Sequence, residues 1–215
     1  MSQTSHNRKE PVFFGRGRHG KRIGTGKARY KGRGAPPLNA EGLQEAGYAA
    51  HALVGLPLEA VVSSDLQRAV QTAEVIARRV KLPVRVDSRL REVDLGDWEG
   101  SLFSEIQERY PAEVEARKRE PLEFRAPGGE SLREVARRVW QAADELAVKY
   151  PGKEVVVVSH GLALAALLAR AHGEDLGAAY GRIPPNAIPQ RVVWRSGLHS
   201  VHQDTLPVKI DQEKK

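Results

Sequence analysis

The chain has 215 residues, enough for one substantial core. Its 40% hydrophobic and 28% charged residues are a water-exposed globular composition, and no apolar run approaches the ~18–20 residues of a membrane-spanning helix. It has no cysteine, which excludes disulfides, thiolate nucleophiles and cysteine metal sites and agrees with a cytoplasmic location; its net charge of +7 is concentrated at the start, where ten Lys and Arg face only Glu10.

In chain order, residues 1–10 read as a disordered basic tail with no apolar signal-peptide core. Pro11, Val12, Phe13 and Phe14 make a short strand candidate. Residues 15–37 are rich in glycine and basic residues without helical period, so a long loop is expected there. Asn39 can cap a helix carrying Leu43, Ala46, Ala50, Leu53 and Val54 at 3.6-residue spacing. Ala60, Val61 and Val62 form a second strand candidate. Ser64 then caps a helix whose apolar face runs from Leu66 to Val80, and residues 84–86 give a weaker third strand.

Residues 101–110 look helical, and Pro111 interrupts or restarts the helix. Ser131 and Glu134 have the spacing of a capping box for a helix running to about Tyr150. Val155, Val156, Val157 and Val158 suit a central strand covered on both faces. An apolar helix follows over residues 162–172, then a strand candidate over 192–194 and a polar tail over 204–215. Residues 11–203 thus read as one domain. Alternating strands and helices imply an α/β fold, with helices on both faces of a mainly parallel sheet. In such sheets, sites lie at the carboxyl ends of strands.

Two His-Gly pairs fall at strand ends: His19-Gly20 and His160-Gly161. A histidine can attack phosphorus when its second ring nitrogen is held by a hydrogen bond. The glycine that follows lets an anion approach the backbone, and His160 also precedes a helix N-terminus, which favours anions. Arg68 lies just inside the helix that follows a strand, so its planar fork is aimed at the same sheet edge. Glu92, Asp97 and Glu99 flank a short loop, and any of them could protonate a leaving alkoxide; the spacing does not choose among them.

Residues 63–77 (SSDLQRAVQTAEVIA), 89–100 (RLREVDLGDWEG), 127–131 (PGGES) and 155–161 (VVVVSHG) resemble, in order and spacing, the histidine phosphatase superfamily, also called phosphoglycerate mutase-like. The resemblance covers about residues 18–190. It implies a three-layer α/β/α fold, His19 as the phosphorylated nucleophile, and Arg18, Arg68 and His160 on the phosphoryl oxygens. It also implies Glu92 as the proton donor. Thr25 stands where the family has a phosphate-contacting Asn, Arg29 keeps the register, and Gly161 completes the anion site. No metal or cofactor is implied. Gly15, Arg16 and Gly17 separate the first strand from Arg18-His19-Gly20, and Lys21 and Arg22 replace the family's Glu and Thr, so the pocket is unusually cationic.

A GxGxxG pattern at Gly15, Gly17 and Gly20 would suggest a dinucleotide site, but residues 21–37 hold neither an acid nor a helical period. A glycine- and arginine-rich nucleic-acid arm would be expected to interleave more aromatics than Tyr30. The expectation is therefore a metal-independent phosphomonoester hydrolase acting on a small anionic phosphorylated metabolite, without nucleic-acid or membrane partners and with scope for a homodimer. The alternatives are a phosphoglycerate mutase or a catalytically weakened member with a binding role. Arg29 keeps a family position, so its charge is expected to belong to the site, while Lys21, Arg22, Lys27, Lys31 and Arg33 are expected to draw in multiply charged substrates.

Overall fold

The computed structural model describes residues 29–34 and 36–194 and the backbone of 203–205. The expected strand at 11–14, Arg18, His19, Thr25 and most of the basic loop lie outside the described residues.

Three parallel strands form the described sheet in the order β2 (Val84–Val86), β1 (Leu58–Ser63), β3 (Glu154–Val158). Val61 sits opposite both Val84 and Val156, so β1 is paired on both edges. All five residues of β3 are buried, as four successive valines require. Strand alternation sorts them: Val156 and Val158 join Val61 on one face, while Val155 and Val157 join Ala60 and Val62 on the other. Helices α1 (Ala40–Ala52) and α2 (Gln67–Val80) cover the first face, and α5 (Leu132–Lys149) and α6 (Gly161–Ala171) cover the second. The result is the three-layer architecture expected, with each buried valine contributing on the order of 1.5–3 kcal/mol.

Asn39 caps α1 by accepting from the Gly42 amide at 2.9 Å. The face of α1 that packs is its alanine face, Ala46, Ala49 and Ala50, and Leu53 just beyond is buried; the expected Leu43 and Val54 are instead 44% and 51% exposed. The second helix begins later than expected. Ser64 still donates its amide to the Val158 carbonyl at 2.9 Å, so it belongs to the sheet edge, and α2 starts at Gln67. The Ser64 hydroxyl only accepts from the Leu66 amide, at 3.2 Å.

Pro111 does restart the helix: α3 (Phe103–Arg109) ends and Pro111 is the first residue of α4 (Pro111–Arg119). These two helices sit over a small satellite core of Trp98, Ile106 and Ala126, with Tyr30, Tyr110 and Phe124 against it. The Ser131–Glu134 capping box forms, with the Ser131 amide 2.9 Å from Glu134 Oε2. The late strand lies two residues earlier than expected. It is β4 (Gln190–Val192), antiparallel to β5 (Gln203–Thr205). Trp194 is instead a buried anchor, donating to Asp144 Oδ1 at 2.9 Å and packing on the Arg170 guanidinium.

Arg191 of β4 pairs with Glu154, a carboxylate only 1% exposed at the start of β3. Removing the guanidinium leaves that buried charge without its cation. Arg191→Ala should therefore cost about 1–3 kcal/mol, read as a lowered urea midpoint, whereas Lys153→Ala on an exposed pair should cost under about 1 kcal/mol.

Candidate active site

The carboxyl ends of β1 and β3 deliver two side chains to one point. Arg68, on the first turn of α2, is only 3% exposed, and His160, the residue preceding α6, is 2% exposed. Arg68 Nε donates to His160 Nδ1 at 3.1 Å. An imidazole that accepts at Nδ1 carries its proton on Nε2, so in the neutral ring the donor is Nε2–H. Arg68 also donates through Nη2 to the Gly32 carbonyl at 3.0 Å and through Nη1 to the Arg33 carbonyl at 3.4 Å. Ser159, beside His160, ties the end of β3 to the next loop by donating to the Leu90 carbonyl at 2.7 Å.

That loop carries Glu92. Its carboxylate accepts from the Leu162 and Ala163 amides of the first turn of α6 at 3.2–3.3 Å, and from its neighbour Val93 at 3.0 Å. Backbone amides of the anion-favouring helix end thus set its orientation. The loop itself is held by Arg138 of α5, whose Nη1 donates to the Arg89 and Arg91 carbonyls at 2.7 and 2.6 Å. Its Nη2 donates to the Glu92 carbonyl at 3.0 Å. Arg138 also pairs with Glu130, which takes Arg33 as a second cation at 3.1 Å. Burial pushes the Glu130 carboxyl up, but the bonds and charge of Arg138, aided by Arg33, outweigh it and hold it below the usual glutamate range. The Pro127–Gly129 turn docks on the same loop, with the Asp97 amide 2.9 Å from the Pro127 carbonyl.

Arg68, Glu92, His160 and Gly161 line one cleft of about 470 Å³, with Arg29, Tyr30, Lys31, Phe103, Arg117 and Tyr180 on its other walls. A larger groove of about 660 Å³ runs along α5 beside Trp140 and Arg170, but it holds neither a histidine nor the strand-end residues, so the smaller cleft is the candidate site. Arg117 of α4 packs against the rings of Tyr30 and Tyr180 at 5.6 and 5.2 Å and donates to the Tyr30 hydroxyl at 3.2 Å. Burial pushes the Tyr180 phenol up, partly offset by Arg117, so it remains a neutral hydroxyl near pH 7.

The structure therefore brings Arg68, Glu92, His160, Gly161 and Arg29 together. Arg29 reaches the rim, where Nη1 donates to the Gly100 carbonyl at 2.7 Å. Of the three carboxylates the spacing left open, only Glu92 lines the cleft; Asp97 is exposed, and Glu99 is engaged with backbone amides. Arg33 departs from its expected part in attracting substrate, because Asp94 at 2.7 Å and Glu130 neutralise it. Sequence reasoning missed Arg117 and Tyr180. The first sits in a charge-rich stretch that reads as a solvated face, and the second has no motif around it.

A sequence model of the histidine phosphatase superfamily (branch 1) matches residues 17–203. The chain belongs to the histidine phosphatase superfamily. Bifunctional protein Rv2228c of Mycobacterium tuberculosis is 43% identical over 164 residues, 76% of this chain but only 45% of that protein, so the chain spans less than half the length of this relative. Phosphoserine phosphatase 1 of Hydrogenobacter thermophilus is 35% identical over 148 residues, 69% of this chain and 70% of the relative. Among solved structures, mycobacterial glucosyl-3-phosphoglycerate phosphatase Rv2419c superposes with a TM-score of 0.74 at 32% identity, covering 85% of this chain and 89% of that one. The phosphoglycerate mutase-like fold expected from the motifs is the fold present. Among the described residues of this histidine phosphatase family member, no group of three or more His, Asp or Glu is placed to hold a metal, and no helix is long and apolar enough to cross a membrane.

Glu130 links the site to pH. A carboxyl whose folded value is depressed contributes stability that is complete above its unfolded value and is lost as pH falls through the folded one. Glu130→Gln should thus be less stable than the parent near neutrality, and their urea midpoints should converge as pH drops below the glutamate range.

Proposed function

We propose that this chain is a metal-independent phosphomonoester hydrolase working through a phosphohistidine on His19. The observation that carries the reading is the Arg68–His160 pair at the α6 N-terminus, with the Glu92 carboxylate bound to the same helix end. A phosphate entering there would meet the Arg68 guanidinium, the His160 Nε2–H and the backbone of Gly161 at the start of α6, which together suit a dianion. The His19 ring nitrogen attacks phosphorus as the ester P–O bond breaks, and protonated Glu92 gives its proton to the departing alkoxide. Water then attacks the phosphohistidine, Glu92 takes its proton back, and His19 is regenerated with release of inorganic phosphate. His19 enters by its match to the Arg-His-Gly pattern.

The leaving group would occupy the wall formed by Tyr30, Phe103, Arg117 and Tyr180. Arg29, Lys31 and Arg117 give that wall positive charge, and two of the relatives are named for phosphoserine and glucosyl-3-phosphoglycerate. Both support a small phosphorylated metabolite whose alcohol portion bears a further anion. The lack of cysteine agrees with a cytoplasmic setting.

His19→Ala should abolish both turnover and the acid-labile phosphoenzyme, while activity should survive EDTA; a phosphoenzyme that persists in His19→Ala would refute the assignment. Glu92→Gln should slow alkyl phosphates far more than p-nitrophenyl phosphate, since a good leaving group does not need the acid. Release of inorganic phosphate, rather than its transfer to an added alcohol, distinguishes hydrolase from mutase. Arg117→Ala should lower kcat/KM for a carboxylated phosphate ester about 10-fold more than for a neutral one, with the parent's preference shrinking as salt rises.

A further inference from the structure

Glu99 is a half-buried carboxylate that the proposed reaction does not use, yet its bonds are specific. Oε1 accepts from the Arg33 amide at 2.6 Å and from the Leu95 amide at 3.4 Å, and Oε2 accepts from the Gly34 amide at 2.8 Å. The segment it grips, residues 31–34, belongs to no helix or strand, so no ladder of backbone bonds fixes it. The carbonyls of Gly32 and Arg33 in that segment are acceptors for the Arg68 guanidinium. Glu99 is itself on a firm base: it follows the Gly96–Trp98 turn, whose Trp98 is 0% exposed.

The fit is close on both sides. Gly32 has φ +45°, and a Cβ placed there would lie 2.0 Å from Glu99 Oε1. Glycine is thus required twice, by the left-handed backbone and by the approach of the carboxylate. Other ties on the strap include the Arg33 side chain's bond to the Glu92 carbonyl at 3.3 Å and its pairs with Asp94 and Glu130, which are partly exposed and of the kind that contributes little.

We propose that Glu99 is a positioning residue for phosphate binding. It holds the amides of Arg33 and Gly34 so that the neighbouring carbonyls fix the Arg68 guanidinium, and Arg68 in turn orients His160. The line of force runs from Trp98 through Glu99 and the strap to Arg68 and the His160 ring. The inference rests on reading Arg68 as a phosphate ligand, but its physical content, that Glu99 controls Arg68, can be tested separately.

The test is a double-mutant cycle between Glu99 and Arg68, with orthovanadate affinity, His160 ring ¹⁵N resonances and thermal midpoint as readouts. Glu99→Ala should weaken vanadate binding about 10-fold; in the Arg68→Ala background it should change affinity by less than about 2-fold, the non-additivity expected of residues acting through one another. Glu99→Ala should also move the His160 ring nitrogens in the same direction as Arg68→Ala does. Glu99→Gln keeps size but sets an amide N–H against a backbone donor; it should fall between, and it serves if the alanine variant does not fold. Gly32→Ala should reproduce the loss from the other side. Additive effects on vanadate, or a fall in thermal midpoint with the His160 resonances unmoved, would overturn the proposal. If Arg68→Ala leaves vanadate affinity intact, the phosphate reading of Arg68 is wrong, and the His160 resonances alone then decide whether Glu99 controls Arg68.

Discussion

A guanidinium buried to 3% exposure is a costly thing to place in a protein, by several kcal/mol unless the charge is compensated. Arg68 is such a group, and its acceptors here include two backbone carbonyls and an imidazole nitrogen, none of which carries a full charge. Each satisfies an N–H group of the guanidinium and so fixes its orientation. Under the proposed function, a guanidinium held in this way is a preorganised cation for a phosphate dianion. The rest of the site follows from holding those three acceptors still.

Two kinds of structure do the holding. The sheet fixes the origins of the side chains: Val158 and Ser63 end adjacent strands in register, so Arg68 and His160 emerge within a hydrogen bond of each other although 92 positions separate them in the chain. The loops have no such register and are fixed by charge. Glu130 is shared by Arg33 and Arg138, and Arg138 spreads over the Arg89, Arg91 and Glu92 carbonyls, making one network of the 89–99 loop, the strap and α5. The acids of this network also pair with Arg33; among the described residues, the Lys and Arg side chains that line the cleft are Arg29, Lys31, Arg68 and Arg117.

The sequence reveals what depends on local chemistry. Four consecutive valines announce a strand buried on both faces, Asn39 and Ser131 announce helix starts, and Pro111 announces a restart, because each acts within a turn or two of itself. Ser64 has the same capping chemistry, but its amide is already committed to Val158 across the sheet, and no local pattern records that commitment. Leu43 has the right spacing, yet the buried face of α1 is made by Ala46, Ala49 and Ala50, a choice set by the partner across the helix and not by the period. At the site, the strand-end histidine and Arg68 were legible from position, whereas Glu92 needed the family resemblance, since Asp97 and Glu99 offered the same chemistry across the same short loop. His19 entered through an Arg-His-Gly pattern outside the described residues.

Those three carboxylates show how the backbone assigns roles. Glu92 meets the amides of α6 and lines the cleft; Glu99 meets the amides of the strap; Asp97 meets solvent. The division continues across the cleft. The wall that carries Arg68 and His160 is built from the buried carboxyl ends of β1 and β3 and cannot change without disturbing the main core. The opposite wall is made from Tyr30, Phe103 and Arg117, carried on the satellite cluster and on α4, a helix with no buried residue of its own. Substitutions there cost little core packing, so under the proposed function the part of a substrate that varies from one phosphate ester to another would face the part of the protein freest to vary with it.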